Sequence, residues 1–123
     1  MCVFCDYLAK KEKVIFDNKF AFAIYDGFPV TKGHMLIMPK RHIESFFELT
    51  SDEKLAMDEL IFKAKAYIDE TYRPDAYNLG INEGVYAGQS ILHCHLHIIP
   101  RYIGDVSNPR GGVRGVIPAK QNY

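Results

Sequence analysis

No run of apolar residues in this 123-residue chain approaches the roughly 20 that a membrane span requires. Excess charge is missing too. Fifteen Lys+Arg meet fifteen Asp+Glu, so bulk electrostatics make no case for a nucleic-acid or membrane partner. Cysteine is scarce and odd in number, three in all, which argues against a secreted disulfide framework and for a reducing compartment. The segment from Met1 to Lys13 lacks the long apolar core of a signal peptide. Internal repeats and low-complexity tracts are absent. These absences leave a cytoplasmic, single-domain protein as the expectation. At this length it can bury roughly two-thirds of its unfolded surface and needs no disulfide or metal merely to fold.

The apolar pattern that is present describes an α+β chain. Val14–Asn18 and Phe20–Asp26 are short apolar runs parted by the turn residues Asp17, Asn18 and Lys19, which predicts a β-hairpin. A Gly- and Pro-punctuated loop over 27–33 precedes a third strand, His34–Met38, ended by Pro39. Thr50 and Glu53 have capping-box spacing. Met57, Leu60, Ile61, Ala64, Ile68 and Tyr72 then recur at helical spacing, so one amphipathic helix is predicted from Ser51 to Tyr72, stopped by Pro74. A fourth strand over Tyr77–Asn82 and a fifth over His93–Pro100 complete about five antiparallel strands with one long helix on one face.

Neutrality is a sum of unlike parts. Residues 101–123 carry Arg101, Arg110, Arg114 and Lys120 against Asp105 alone, a net of +3, which leaves −3 on residues 1–100. We therefore divide the chain into a domain over 1–103 and a basic, Gly- and Pro-containing tail over 104–123.

Three of the five histidines fall within five residues, at 93, 95 and 97. Alternate residues of a strand share a face, so all three rings are expected on one side, with Cys94, Leu96 and Ile98 on the buried other. Two chemistries suit such a row. Imidazoles can hold a catalytic zinc together with a ligand from elsewhere. Alternatively, one imidazole can attack phosphorus and form a covalent intermediate while its neighbours handle charge and protons. Spacing alone does not choose between them.

The flanking residues resemble a known family. Gly88-Gln89-Ser90-Ile91-Leu92-His93-Cys94-His95-Leu96-His97-Ile98-Ile99 is similar to the signature of the histidine triad (HIT) family, departing from the strict pattern only at Cys94. The likeness extends to Phe22–Asp26, Thr31–His42 and Asn82–Gly84, and covers most of residues 2–103. It implies a small α+β homodimer that binds a purine nucleotide, such as a derivative of AMP, and cleaves at its α-phosphorus. His95 would be the nucleophile, held through its other ring nitrogen by the His93 carbonyl. His97 would face the non-bridging oxygens and Ser90 the leaving group. Asn82 and Gln89 would make phosphate-side contacts, Asp26 would accept from the ribose hydroxyls, and His34 would support the triad from the neighbouring strand. Dinucleoside polyphosphates such as diadenosine tetraphosphate, or nucleoside phosphoramidates, would be substrates. The alternatives are a nucleotidyl transferase or phosphorylase, a non-catalytic nucleotide-binding module, and a hydrolase with zinc on the triad.

Cys2 and Cys5 form Cys-x-x-Cys. A redox role would want a strand before the pair and a helix behind it, and neither is predicted. As half of a structural zinc site the pair needs two more ligands. The family resemblance implies His42 and His93, which would staple the N-terminus to the histidine segment. In the tail, Arg110 and Arg114 are expected to reach polyphosphate oxygens beyond the α-phosphate.

Overall fold

The computed structural model describes residues 2–123. In chain order the elements are α1 (Val3–Lys10), β1 (Phe16–Asp17), β2 (Ala21–Tyr25), β3 (Met35–Pro39), α2 (Ser51–Tyr72), β4 (Ala76–Ile81) and β5 (Leu96–Arg101), with single 3-10 turns between and after them. The strands pair antiparallel in the order β1-β2-β3-β5-β4. Among the described residues no helix is long and apolar enough to cross a membrane.

Local chemistry fixes the long helix. Thr50 Oγ1 accepts from the Glu53 N–H at 3.1 Å while Glu53 Oε1 accepts from the Thr50 N–H at 2.9 Å, satisfying two orphan donors at once. The helix ends at Arg73, in a left-handed conformation (φ 52°) directly before Pro74. Proline disfavours helical backbone in the residue preceding it. Met57, Leu60, Ala64 and Ile68 bury against Ala21, Ala23, Met35, Ile37 and Ile98 on one sheet face. Full burial of a side chain such as Leu60 contributes about 1.5–3 kcal/mol. The hairpin turn is tied to this layer through Asn18. Its Oδ1 accepts from the Ala21 N–H at 2.9 Å and its Nδ2 donates to the Ala56 carbonyl at 2.9 Å.

Two expectations need correction. A helix does follow Cys2: α1 packs Phe4 onto Phe22, Ile24, Leu36 and Met38, the sheet face opposite α2. The sheet is therefore covered partly on both sides, not on one. The predicted fifth strand is also shortened at its start, because the ladder with β3 runs only from Ile37↔Leu96 to Met35↔Ile98. Before Leu96 the backbone leaves the sheet, and the Cys94 N–H goes to the Ile43 carbonyl at 2.7 Å. That departure carries His93 toward His42.

Beyond β5 the tail is folded. Its 3-10 turns cover Gly112–Val116 and Pro118–Lys120. Gly111 (φ 90°) lets the two approach closely, for a Cβ there would lie 2.1 Å from the Gln121 carbonyl oxygen.

Candidate functional site

Four donors converge where α1 meets the segment preceding β5. His93 Nδ1 lies 3.5 Å from Cys2 Sγ, 3.5 Å from Cys5 Sγ and 3.3 Å from His42 Nδ1, and Cys5 Sγ lies 3.4 Å from His42 Nδ1. A tetrahedral ion with Zn–S of about 2.3 Å and Zn–N of about 2.05 Å sets S···N near 3.5 Å and N···N near 3.3 Å. These donors match that geometry. The tautomer also fits: His93 Nε2 donates to the Pro39 carbonyl at 2.8 Å, which leaves Nδ1 bare for a ligand. As a free thiol Cys5 is pushed up to about 11, first by burial and then by Cys2 beside it. A divalent cation offsets that crowding by favouring thiolate. Cys2, Cys5, His42 and His93 can thus hold a metal.

The His93 backbone serves the next histidine. Its carbonyl accepts the Nδ1–H of His95 at 2.8 Å, leaving Nε2 of His95 with the free lone pair. Phe4 sets its ring edge-on to both, with centroids 5.8 Å from His93 and 5.1 Å from His95. Although on the face expected to be open, His93 and His95 are both buried, because α1 covers them.

A second network fixes His97. The Val30 N–H donates to His34 Nδ1 at 3.0 Å, so the His34 proton sits on Nε2, which donates to His97 Nδ1 at 2.9 Å. His97 then carries its own proton on Nε2. Asp26 Oδ2 lies 3.4 Å from His34 Nε2 and 3.7 Å from His97 Nδ1. Asp26, His34 and His97 are close enough together to suggest a second metal cluster. The Val30 bond argues against it, since it places a proton where a ligand lone pair would be needed. Burial lowers the His34 pKa, and burial followed by the neighbouring His95 and His34 lowers His97 to about 4. Both rings are neutral at neutral pH.

Gly33 (φ 90°) delivers His34 to this position. Any Cβ there would lie 2.9 Å from the Tyr72 ring.

These groups open onto a cavity of about 820 Å³ on the α1 side of the sheet. Asp26, His34, Asn82, Ser90, His95 and His97 all line it, with apolar walls from Phe4, Ile24 and Leu36. Gln89 does not. It is buried, its Oε1 accepting from the Gly84 N–H at 2.9 Å and its Nε2 donating to the Glu44 carbonyl at 3.0 Å, so it braces the loop that presents Ser90. Arg110 and Arg114 also lie outside the lining. Their guanidinium carbons sit 4.8 and 4.6 Å from the centroid of the Tyr123 ring. The tail instead contributes Gly112, Val113, Gly115 and Val116. Sequence reasoning missed the walls supplied by α1 (Val3, Phe4 and Tyr7) and by the tail valines. The available signal for α1 was Phe4 and Leu8 one turn apart, with Asp6 in the first turn and Lys10 in the last.

Comparison with known proteins identifies similar chains. The HIT domain family model matches residues 8–104. A Bis(5'-nucleosyl)-tetraphosphatase [asymmetrical] of Schizosaccharomyces pombe is 34% identical over 77% of this chain and 52% of its own. A Bis(5'-adenosyl)-triphosphatase of Dictyostelium discoideum is 30% identical over 85% and 70%. An AP-4-A phosphorylase of Mycobacterium tuberculosis is 32% identical over 76% and 49%, so this chain spans about half the length of the first and last of these relatives. Among solved structures, a HIT family protein from Bacillus anthracis superposes with a TM-score of 0.79 at 33% identity, covering 85% of this chain and 75% of the other. A Zn-bound histidine triad family protein from Mycobacterium smegmatis gives 0.77 at 29% identity, over 87% and 79%.

Proposed function

This chain belongs to the HIT domain family, and on that premise we propose that it is a nucleotidyl hydrolase acting at the α-phosphorus of a purine nucleotide derivative, with dinucleoside polyphosphates such as diadenosine tetraphosphate as the leading substrate class. The observation that carries the reading is the bond from His95 Nδ1–H to the His93 carbonyl at 2.8 Å, on a ring that lines the cavity. Nucleophilic catalysis by imidazole needs one nitrogen bare and the other anchored by an acceptor that can stabilise the imidazolium. The His95 Nε2 lone pair attacks the α-phosphorus. The P–N bond forms as the bond to the leaving oxygen breaks, and Ser90, exposed on the cavity wall, donates to that oxygen. Water then attacks the phosphorus from the opposite side, His95 departs, and a nucleoside monophosphate is released. His97 offers Nε2–H to the non-bridging oxygens, a neutral donor fixed in advance by His34. Asp26 accepts from the ribose hydroxyls, and Asn82 contacts the phosphates.

The ion at Cys2, Cys5, His42 and His93 is zinc in this reading, and its contribution is structural: it ties α1, one wall of the cavity, to the segment that bears His95. The protein works as a homodimer. β4 ends the sheet with its outer edge unpaired among the described residues, which is where a second copy can add. Similarity to a phosphorylase makes phosphate, in place of water, the competing second nucleophile.

Brief incubation with radiolabelled diadenosine tetraphosphate, followed by acid-stable and acid-labile label analysis, should yield a nucleotidyl-histidine in the wild type and none in His95→Ala. Full turnover by His95→Ala would overturn the mechanism. Product formation that requires added phosphate would identify a phosphorylase.

A further inference from the structure

One charged group in the cavity wall has no part in the chemistry described above. Lys13 is the single lysine or arginine among the lining residues. Among the described residues its ammonium has no hydrogen-bond or carboxylate partner, and it rests over the Tyr7 ring, 5.1 Å from the centroid. The backbone brings it there. α1 closes with the Lys11 and Glu12 N–H groups on the Leu8 and Tyr7 carbonyls at 3.2 and 2.9 Å. Lys13 then takes a left-handed conformation (φ 63°), which a β-carbon disfavours, as the chain turns back toward the sheet. Two residues later the Ile15 N–H donates to the Ala23 carbonyl at 2.8 Å. Lys13 is thereby fixed on the β2 flank of the cavity.

That position decides which part of a nucleotide it can meet. Asn82 directly follows β4, and the sheet order puts β3 and β5 between β4 and β2. At roughly 4.8 Å per spacing, β2 and β4 are about 14 Å apart, farther than a lysine side chain reaches. A phosphate chain beside Asn82 is out of its range. Asp26, the ribose acceptor, directly follows β2, so the base is directed beneath α1. Phe4 and Tyr7, three residues apart on one helix face, cover that space, with Ile24 opposite them. Phe4 is its inner end, 5.1 Å from the His95 ring between centroids, and Tyr7 with Lys13 is its outer end.

We propose that Lys13 selects the base of the nucleoside whose α-phosphorus meets His95, favouring a 6-oxopurine such as guanine over adenine. The proposal rests on the hydrolase reading above and names its substrate more closely. Apolar walls hold the faces of either purine alike, so discrimination falls to the edge. An ammonium has three donors and no acceptor. Guanine offers it two acceptors side by side, O6 and N7, whereas the same edge of adenine pairs N7 with a donating amino group.

The test is a titration of the full chain with AMP, GMP and IMP, three monophosphates that differ only in the base. Hypoxanthine shares the O6 and N7 edge of guanine and lacks its 2-amino group. Low ionic strength leaves an exposed ammonium least screened. The wild type should bind GMP and IMP about fivefold more tightly than AMP, the low end of what a bidentate lysine–guanine pair discriminates. Lys13→Met keeps the length of the side chain and should remove the preference. Lys13→Arg donates to the same two acceptors and should retain it. Equal affinity for GMP and AMP in the wild type would overturn the proposal, as would IMP behaving like AMP, which would place recognition at the 2-amino group. A preference that survives Lys13→Met would overturn it too. Each of these outcomes leaves the hydrolase reading standing, whereas a wild type that binds none of the three would overturn both.

Discussion

The carbonyl oxygen of His93 takes the Nδ1–H of His95 at 2.8 Å, so the residue whose ring faces Cys2 and Cys5 also orients the ring beside it. The four-donor cluster and the orientation of the His95 ring are therefore two consequences of one turn of backbone. The Phe4 ring reinforces the link by touching both imidazoles from α1, the helix that carries Cys5 and follows Cys2 directly.

From this arrangement the metal should matter for integrity and not for chemistry. The purified chain should carry about one zinc, and Cys2→Ser/Cys5→Ser none. A chelator should leave activity intact at first and reduce it in step with zinc release, as α1 loosens from the cavity. Simultaneous metal analysis and rate measurement would check this. Immediate loss of activity while the bound zinc stays in place would instead put a metal on the reacting phosphate.

His34 should act by positioning His97. Replacement by Phe keeps the buried volume but removes both the acceptor for Val30 and the donor for His97. We expect kcat to fall about tenfold or more, a part of the 10²–10⁴ that proton-handling side chains contribute, with a smaller change in KM. Gln, which retains a donor at the end of its side chain, should recover some of the loss. A purely structural role would lower the melting temperature of both variants without separating their kcat values.

Acid should destabilise the protein over two successive pH ranges. Burial depresses the folded-state pKa of His97 from its ordinary 6.5 to about 4, so the stability linked to its neutral form is complete above 6.5 and declines as the pH falls through about 4. Hydrogen bonds from Arg41 hold the Glu53 carboxyl down at about 2, against an ordinary 4.5. Its contribution is present above 4.5 and is lost as the pH falls toward 2. Melting temperatures across pH 7 to 2 should show both limbs. His97→Gln should flatten the upper limb and Glu53→Gln the lower, the latter at the cost of a lower melting temperature at neutral pH, because Glu53 also caps α2.

The helix α2 was legible because its signals are local: a capping box, a repeating apolar stripe and a terminating proline. The cavity-lining positions of Asp26, His34, Asn82 and Ser90 were reachable only through family resemblance, since Asp26 alone reads equally well as a turn residue and Asn82 as a strand-end cap, and nothing local marks the other two. The course of the backbone at His93 was not legible. Strict alternation from His93 to Ile98 is what a strand looks like, but strand pairing needs a neighbour, and β3 has already ended its ladder at Leu96. α1 was missed for a related reason. An eight-residue helix is marginal alone, and this one is stabilised by docking Phe4 on the sheet and by the donor cluster at its start. In the tail, the arginine count drew attention to charge, yet the residues that meet the cavity are glycines and valines.

The folded tail supplies Gly112, Val113, Gly115 and Val116 to the cavity wall, and two glycines separate the effects of its backbone from those of its packing. Gly104 (φ 86°) and Gly111 (φ 90°) both occupy left-handed backbone, where a side chain costs about 1–2 kcal/mol. A Cβ at Gly104 would meet no atom within 4 Å, whereas one at Gly111 would run into the Gln121 carbonyl oxygen. Gly104→Ala should therefore show the backbone strain alone. Gly111→Ala should in addition force apart the two 3-10 turns, which the Gln121 Nε2–H to Arg110 carbonyl bond and the Arg114 to Lys120 carbonyl bond hold together. Hydrogen exchange should then rise across residues 111–121 in Gly111→Ala while α2 and the strands stay protected, because the main core does not include the tail. Unchanged exchange in the tail would mean that the turns accommodate the Cβ without parting, and the close approach at Gly111 would then not require a glycine.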